Sequence, residues 1–221
     1  MASTSDELFA AISQADIERV RVLLAEHPTL ATTRDEQGVS VLMRARYRFD
    51  RGLVEAVKAH LDELDVFEAA TLGDLDRLTA LLDADPSSVA ARSGDGFTPL
   101  HLAAFFGQTD AVSLLVARGS EVDARGTGWM IGTPLHAAAS ARHLDAARFL
   151  LDAGADPNAR QAGDFTPLHG AAHNGDAALV ELLLSLGADP TRTTEDGKDA
   201  IGCAEESGDL ATIEALVQAT A

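Results

Sequence analysis

The chain has 221 residues, of which 35 are acidic and 17 basic, for a formal net charge of −18. That surplus of negative charge excludes sequence-independent binding to nucleic acid or to an anionic membrane surface, since both need excess cations. One cysteine, Cys203, excludes an internal disulfide and a cysteine-built zinc site. With 41 alanines and only 5% aromatic residues, the core has to be made of closely stacked small side chains.

Met1 to Ala11 reads as a polar lead running into a helix. It has no basic segment and no long apolar run, so no signal peptide is expected. No 18-residue apolar stretch follows to span a membrane. Seven units are then read along one domain covering 1–221: about 5–37, 38–63, 64–96, 97–130, 131–163, 164–196 and 197–221. In the first, Ala15-Asp16-Ile17-Glu18-Arg19-Val20 precedes Leu23-Leu24; it matches Gly73-Asp74-Leu75-Asp76-Arg77-Leu78 before Leu81-Leu82 in the third, 58 residues on. The second unit is short, and near His60 it runs straight into Leu64-Asp65-Val66-Phe67 with no room for a loop.

The fourth, fifth and sixth units carry the clearest copies. Thr98-Pro99-Leu100-His101-Leu102-Ala103-Ala104 recurs as Thr133-Pro134-Leu135-His136-Ala137-Ala138-Ala139 and as Thr166-Pro167-Leu168-His169-Gly170-Ala171-Ala172, at spacings of 35 and 33. Gly154-Ala155-Asp156-Pro157 and Gly187-Ala188-Asp189-Pro190 keep the same phase, and Asp199-Ala200-Ile201-Gly202-Cys203-Ala204 opens a degenerate seventh copy. Threonine can cap a first helix whose opening turn holds proline, where a missing N–H costs nothing. The alanines let the next helix pair approach, and no unit can bury its apolar face alone.

These motifs resemble the ankyrin repeat family over nearly the whole chain. The resemblance implies an all-α solenoid of about seven helix–turn–helix units joined by β-hairpin-like fingers. It also implies that His101, His136 and His169 hydrogen-bond backbone between repeats, and that partners are bound by the fingers and first helices, which line a concave groove.

Little in the sequence supports chemistry. The repeat histidines are about 10 Å apart in a helical stack, too far to share a metal ion. His169 and His173 stand four apart, but Gly170, Ala171 and Ala172 lie between them, without the glutamate of a zinc-protease motif. No nucleophile elbow or phosphate-cradling glycine loop is present, and Cys203 falls at a core position as an inert thiol. No catalytic residue, metal or cofactor is expected.

Recognition is expected at the positions that vary between repeats. After Ala-Ala these are Phe105 and Phe106, then Ser140 and Ala141, then His173 and Asn174; just before the threonine they include Phe97 and Phe165. The fourth finger carries a two-residue insertion, Gly126-Thr127-Gly128-Trp129-Met130-Ile131-Gly132, which places Trp129 and Met130 on an extended tip. With Phe105 and Phe106 these two make a candidate hot spot, or else Trp129 packs on its own finger. In the second unit Arg44, Arg46, Arg48 and Arg51 surround Tyr47 and Phe49. The spacing puts Arg44, Arg48 and Arg51 on one helix face, either as a patch for a carboxylate or phosphate or paired with Asp50, Glu55, Glu7 or Glu36. The reading is a monomeric, cytoplasmic, non-catalytic module that binds another protein, and neither nucleic acid nor membrane. The alternative is a regulatory or adaptor subunit that takes a small ligand or peptide through Arg44, Tyr47 and Arg48.

Overall fold

A short polar cap before each apolar block starts a helix, and the computed structural model, described for residues 3–128 and 131–220, holds fourteen α-helices and no strand among those residues. They come in seven antiparallel pairs: α1 (Thr4–Ser13) with α2 (Ile17–Glu26), α3 (Val41–Tyr47) with α4 (Arg51–Lys58), α5 (Val66–Leu72) with α6 (Leu75–Ala84), α7 (Pro99–Phe105) with α8 (Thr109–Ala117), α9 (Pro134–Ser140) with α10 (Leu144–Asp152), α11 (Pro167–His173) with α12 (Ala177–Ser185), and α13 (Ala200–Ser207) with α14 (Leu210–Thr220). The odd-numbered helices stack on one another as one layer, and the even-numbered helices form the second.

Side-chain caps explain why five of the seven first helices begin where they do. Ser3, Ser40, Asp65, Thr98 and Asp199 each accept the backbone N–H three residues on, a bond worth about 1 kcal/mol per helix. Between the layers lies one continuous apolar core. Leu8, Ile12, Leu42, Leu53, Leu78, Leu100, Leu115, Leu135, Leu150 and Leu183 are fully buried there, with alanine pairs such as Ala103–Ala104 and Ala171–Ala172 setting the close approach.

Five fingers join the pairs, each closed by a backbone hydrogen bond rather than a ladder. Asp35 donates to Val39, Ser93 to Phe97, Gln161 to Phe165 and Thr194 to Lys198, all across four residues. In the fourth junction Gly126 donates to Gly132 across six, two more than in the other fingers. The hairpin-like character is therefore slight: among the described residues the one bridge outside helices pairs Arg34 with Ser40. Arginines lace successive fingers, with Arg92 donating to the Arg125 carbonyl at 2.8 Å and Arg125 to that of Arg160.

The junction between the second and third pairs has no finger, and α4 barely meets α6. Several contacts bridge the gap, an Arg34–Asp65 ion pair among them. The fingertips on either side close over it: a Cβ on Gly94 would lie 2.0 Å from the Gln37 carbonyl oxygen and 2.8 Å from Gly38 Cα. Beneath them Glu68, 5% exposed, accepts a 2.6 Å hydrogen bond from the Ser40 hydroxyl. Burial pushes the Glu68 carboxyl above the usual carboxylate range. Glu68 occupies the slot that histidine fills in the later units, but it reaches back one unit instead of forward.

Each end of the stack lacks one neighbour. Hydrogen exchange followed by mass spectrometry is expected to show α1–α4 and α13–α14 opening before α7–α12. Uniform protection along the chain would contradict nearest-neighbour stabilisation.

Candidate functional site

His101, His136 and His169 are the most constrained polar side chains. Each Nδ1 faces the N–H and hydroxyl of its threonine, at 3.3 and 2.8 Å for Thr98, 3.2 and 3.0 Å for Thr133, and 3.1 and 2.8 Å for Thr166. The Nε2 atoms then carry the proton and donate forward to the carbonyls of Gly132, Phe165 and Arg192, at 3.1, 3.1 and 3.0 Å. Burial lowers all three pKa values, to about 4 for His101 and His136. Both ring nitrogens are thus used, Nδ1 within its own repeat and Nε2 in joining it to the next, and no group of three or more His, Cys, Asp or Glu side chains that could hold a metal occurs among the described residues. Cys203 is buried, and burial pushes its thiol up.

The expected arginine face does not form. Helix α3 ends at Tyr47, Arg48 is its C-cap, and Asp50 caps a new helix by accepting from Gly52 and Leu53, so Arg51 begins α4. Arg44 folds back on the first finger, with Nε donating to Asp35 at 2.5 Å and a second nitrogen to Gln37 at 2.6 Å. The Tyr47 hydroxyl donates to Asp95 at 2.7 Å, and burial with that carboxylate pushes its pKa upward. The ligand groove of Arg44, Tyr47 and Arg48 is therefore not assembled. Nor are the suggested acids the partner of Arg44: Glu7 pairs with Arg19 and Asp50 is spent as a cap.

The aromatic positions also separate. Phe97 is 3% exposed and Phe106 6%, in a small second core with Val39, Met43 and Leu102 that Tyr47, Phe67 and Phe105 border. This corrects the expectation that Phe97 and Phe106 face a partner; they pack because side chains of the second, third and fourth units, Met43, Phe67 and Leu102 among them, meet on this side of the layer. Asn174 is likewise spent within the stack, donating to the carbonyls of Ala139 and Ser140 at 3.3 and 3.1 Å. Phe165 and His173 do come together, lining a cleft of about 400 Å³ with Lys198, Cys203 and Glu206; there His173 lies 3.4 Å from Glu206. Trp129 and Met130 lie outside the described residues.

Phe49, marked in the sequence only as a neighbour of the arginines, is the residue whose role was missed. It is 65% exposed, and its ring stands 6.0 Å from that of Phe105 and 5.8 Å from that of Phe106. Tyr47 lies 5.8 Å from Phe106 on the other side, and the Arg46 guanidinium covers the Phe106 ring at 4.5 Å. Two segments 58 residues apart therefore make one aromatic ledge at the ends of α3 and α7. Phe49 also has φ of 54°, in the left-handed region. One residue per unit takes this conformation just before the second helix: Ala15, Phe49, Gly73, Gly107, Arg142, Gly175 and Gly208. A bulky aromatic in a slot that four units give to glycine is an outlier that costs about 1–2 kcal/mol. The alignment of Phe49 with Gly73 and Gly107 was the signal that could have found it.

Comparison with known proteins places the repeats. A model of ankyrin repeats in three copies matches residues 66–161, and a model of a single ankyrin repeat matches 163–195. Among curated proteins, a probable E3 ubiquitin-protein ligase XBOS31 of Oryza sativa subsp. japonica is 48% identical over 64 residues, 28% of this chain and 14% of that protein. The E3 ubiquitin-protein ligase XB3 of the same plant is 49% identical over 65 residues, with the same shares. An ankyrin repeat and SAM domain-containing protein 6 of Rattus norvegicus is 37% identical over 67 residues, 29% of this chain and 8% of that protein. The match thus spans a small part of each relative. With its seven helix pairs and forward-bonded Thr-Pro-Leu-His histidines, the chain belongs to the ankyrin-repeat family, whose repeats form protein–protein interaction modules.

Proposed function

We propose that the chain is a non-catalytic module that binds another protein at the aromatic ledge of Phe49 and Phe105, with the fingers beside it. The observation that carries this is Phe49, an exposed aromatic ring held in a strained backbone conformation. Strain of this kind persists where something other than folding favours the residue, and aromatic side chains on a rigid scaffold give contact area at low entropic cost. Phe97, Phe106, Met43 and Leu102 serve as the packed floor that holds the ledge in place. The reading extends to a monomer in the cytoplasm, a proposal supported by a lone buried thiol and by an acidic surface that opposes self-association.

Stability and binding separate cleanly at this residue. Phe49→Gly relieves about 1–2 kcal/mol of left-handed strain, against two ring contacts of about 0.5–1.5 kcal/mol each. The melting temperature is expected to stay within a few degrees, about the shift that 1 kcal/mol produces in a chain of this size. A photo-crosslinking phenylalanine analogue at position 49 or 105 should capture a protein in the host cell, whereas the same analogue at exposed Leu210 should not. Equal capture from all three positions, or capture from none, would remove the ledge as the contact surface.

A further inference from the structure

The ledge is bordered by cations that form no ion pair among the described residues. Arg19, Arg34, Arg44, Arg77, Arg118 and Arg160 each sit within hydrogen-bond distance of a carboxylate. In a chain with two acids for every base this is the commoner outcome, and Arg92 and Arg125 are instead spent on carbonyls of the next finger. Arg46, Arg48 and Arg51 form no ion pair among the described residues, although they stand next to Phe49 in sequence. The nearest acid in the chain, Asp50, is occupied by the N–H groups of Gly52 and Leu53. Arg46 is the clearest case. Its guanidinium is stacked on Phe106, its Nε is buried with no acceptor, and burial lowers its pKa. The end of α3 favours cations in its last turn, which accounts for Arg46 and Arg48 being tolerated there. It does not account for a third arginine opening α4, where the helix dipole opposes it.

We propose that the polypeptide segment seated on this ledge is acidic: an aromatic or large aliphatic side chain packs on Phe49 and Phe105, and flanking Asp or Glu residues pair with Arg46, Arg48 and Arg51. This rests on the reading of the ledge as the protein-binding surface and names the chemistry of what it takes. An unpaired, half-desolvated guanidinium gains most from a carboxylate, because the fork of its N–H groups matches the two carboxylate oxygens. The anchor and the charges also divide the work: the ring contact sets residence time, while the charges select against neutral and basic segments.

The test uses the full chain, panned against a displayed library of random 12-residue peptides. Selected peptides are then synthesised, and their affinity is measured by fluorescence anisotropy for the wild type, Phe49→Gly and Arg48→Gln/Arg51→Gln. Both arginines are exposed, so the double variant is expected to melt like the wild type. Arg46→Gln serves as a third variant, read only where its melting curve is unchanged. The expected peptides carry an aromatic or large aliphatic residue between acids, and lose at least about tenfold in affinity in the double variant and in Phe49→Gly. Neutral or basic peptides that weaken with Phe49→Gly but not with the arginine variants would overturn the acidic partner and leave the ledge standing. A library with no peptide dependent on Phe49 would overturn both. A 12-nucleotide single strand of DNA that binds as tightly as the peptides, and is lost in the same variants, would show that the arginines serve phosphate and overturn the polypeptide assignment.

Discussion

Lowering the pH from 7 to 4 is expected to remove about 6 kcal/mol of stability from the centre of the stack. His101 and His136 are neutral in the folded chain, with pKa values near 4, and titrate near 6.5 once unfolded. Between those limits the unfolded state binds more protons than the folded one, so stability rises with pH through the window and is flat above it. A shift of about 2.5 units is worth about 3 kcal/mol per histidine at pH 4. Two such groups approach the whole stability of an ordinary domain, about 5–15 kcal/mol. Glu68 opposes the trend, since its raised carboxyl pKa makes folding less favourable as pH rises through it, but it is one group against three, since burial lowers His169 as well. Urea unfolding at pH 7, 6, 5 and 4 measures the slope. Replacing both histidines by glutamine should lower stability at pH 7 yet flatten that slope; an unaltered slope would place the acid sensitivity elsewhere.

The second large effect is expected at a fingertip. Gly94→Ala places a methyl group 2.0 Å from the Gln37 carbonyl oxygen and 2.6 Å from the Gly38 carbonyl carbon, both backbone atoms that cannot turn aside. The two tips have to part, at an overpacking cost of about 1–3 kcal/mol. The Tyr47–Asp95 hydrogen bond beside them is strained by the same movement. Gly170→Ala is the matched control. Its Cβ would meet the Phe165 ring at an ordinary 3.6 Å, and the equivalent residue in the preceding unit is Ala137. It is expected to raise stability by about 0.5–1 kcal/mol. Thermal melts of the two variants check both signs, and equal effects would mean that the fingertips bear no load.

The helix pairs could be read from the sequence because repetition writes the same local rule several times. Thr98, Thr133 and Thr166 announce helix starts, and the alanine pairs announce close packing. The insertion before Gly132 was visible as a spacing of 35 where 33 was due. What escaped the sequence lies between units. Arg44 was assigned to a helix face, but its guanidinium answers to Asp35, nine residues back on a finger whose path the spacing does not disclose. Phe97 and Phe106 look like groove residues until Met43 and Leu102 close over the same space. Asn174 bonds carbonyls one unit earlier, a partner that appears only when the repeats are stacked. Phe49 had a signal that local reading discards: one position compared down the column of repeats, where the side chain departs from what the backbone prefers.

The missing finger changes how the molecule would carry load. A regular solenoid transmits tension from each unit to the next and can shed its terminal units one by one. Here the second junction has little backbone connection, while the tip at Gln37–Gly38 leans on the tip at Gly94 across it. Pulling on the N-terminus therefore loads the third finger before the first pair can leave, and the first two pairs are tied into one mechanical element. Under force the N-terminal end should yield as a single latch, with the seam between α4 and α6 as its hinge, while the C-terminal end still unzips unit by unit.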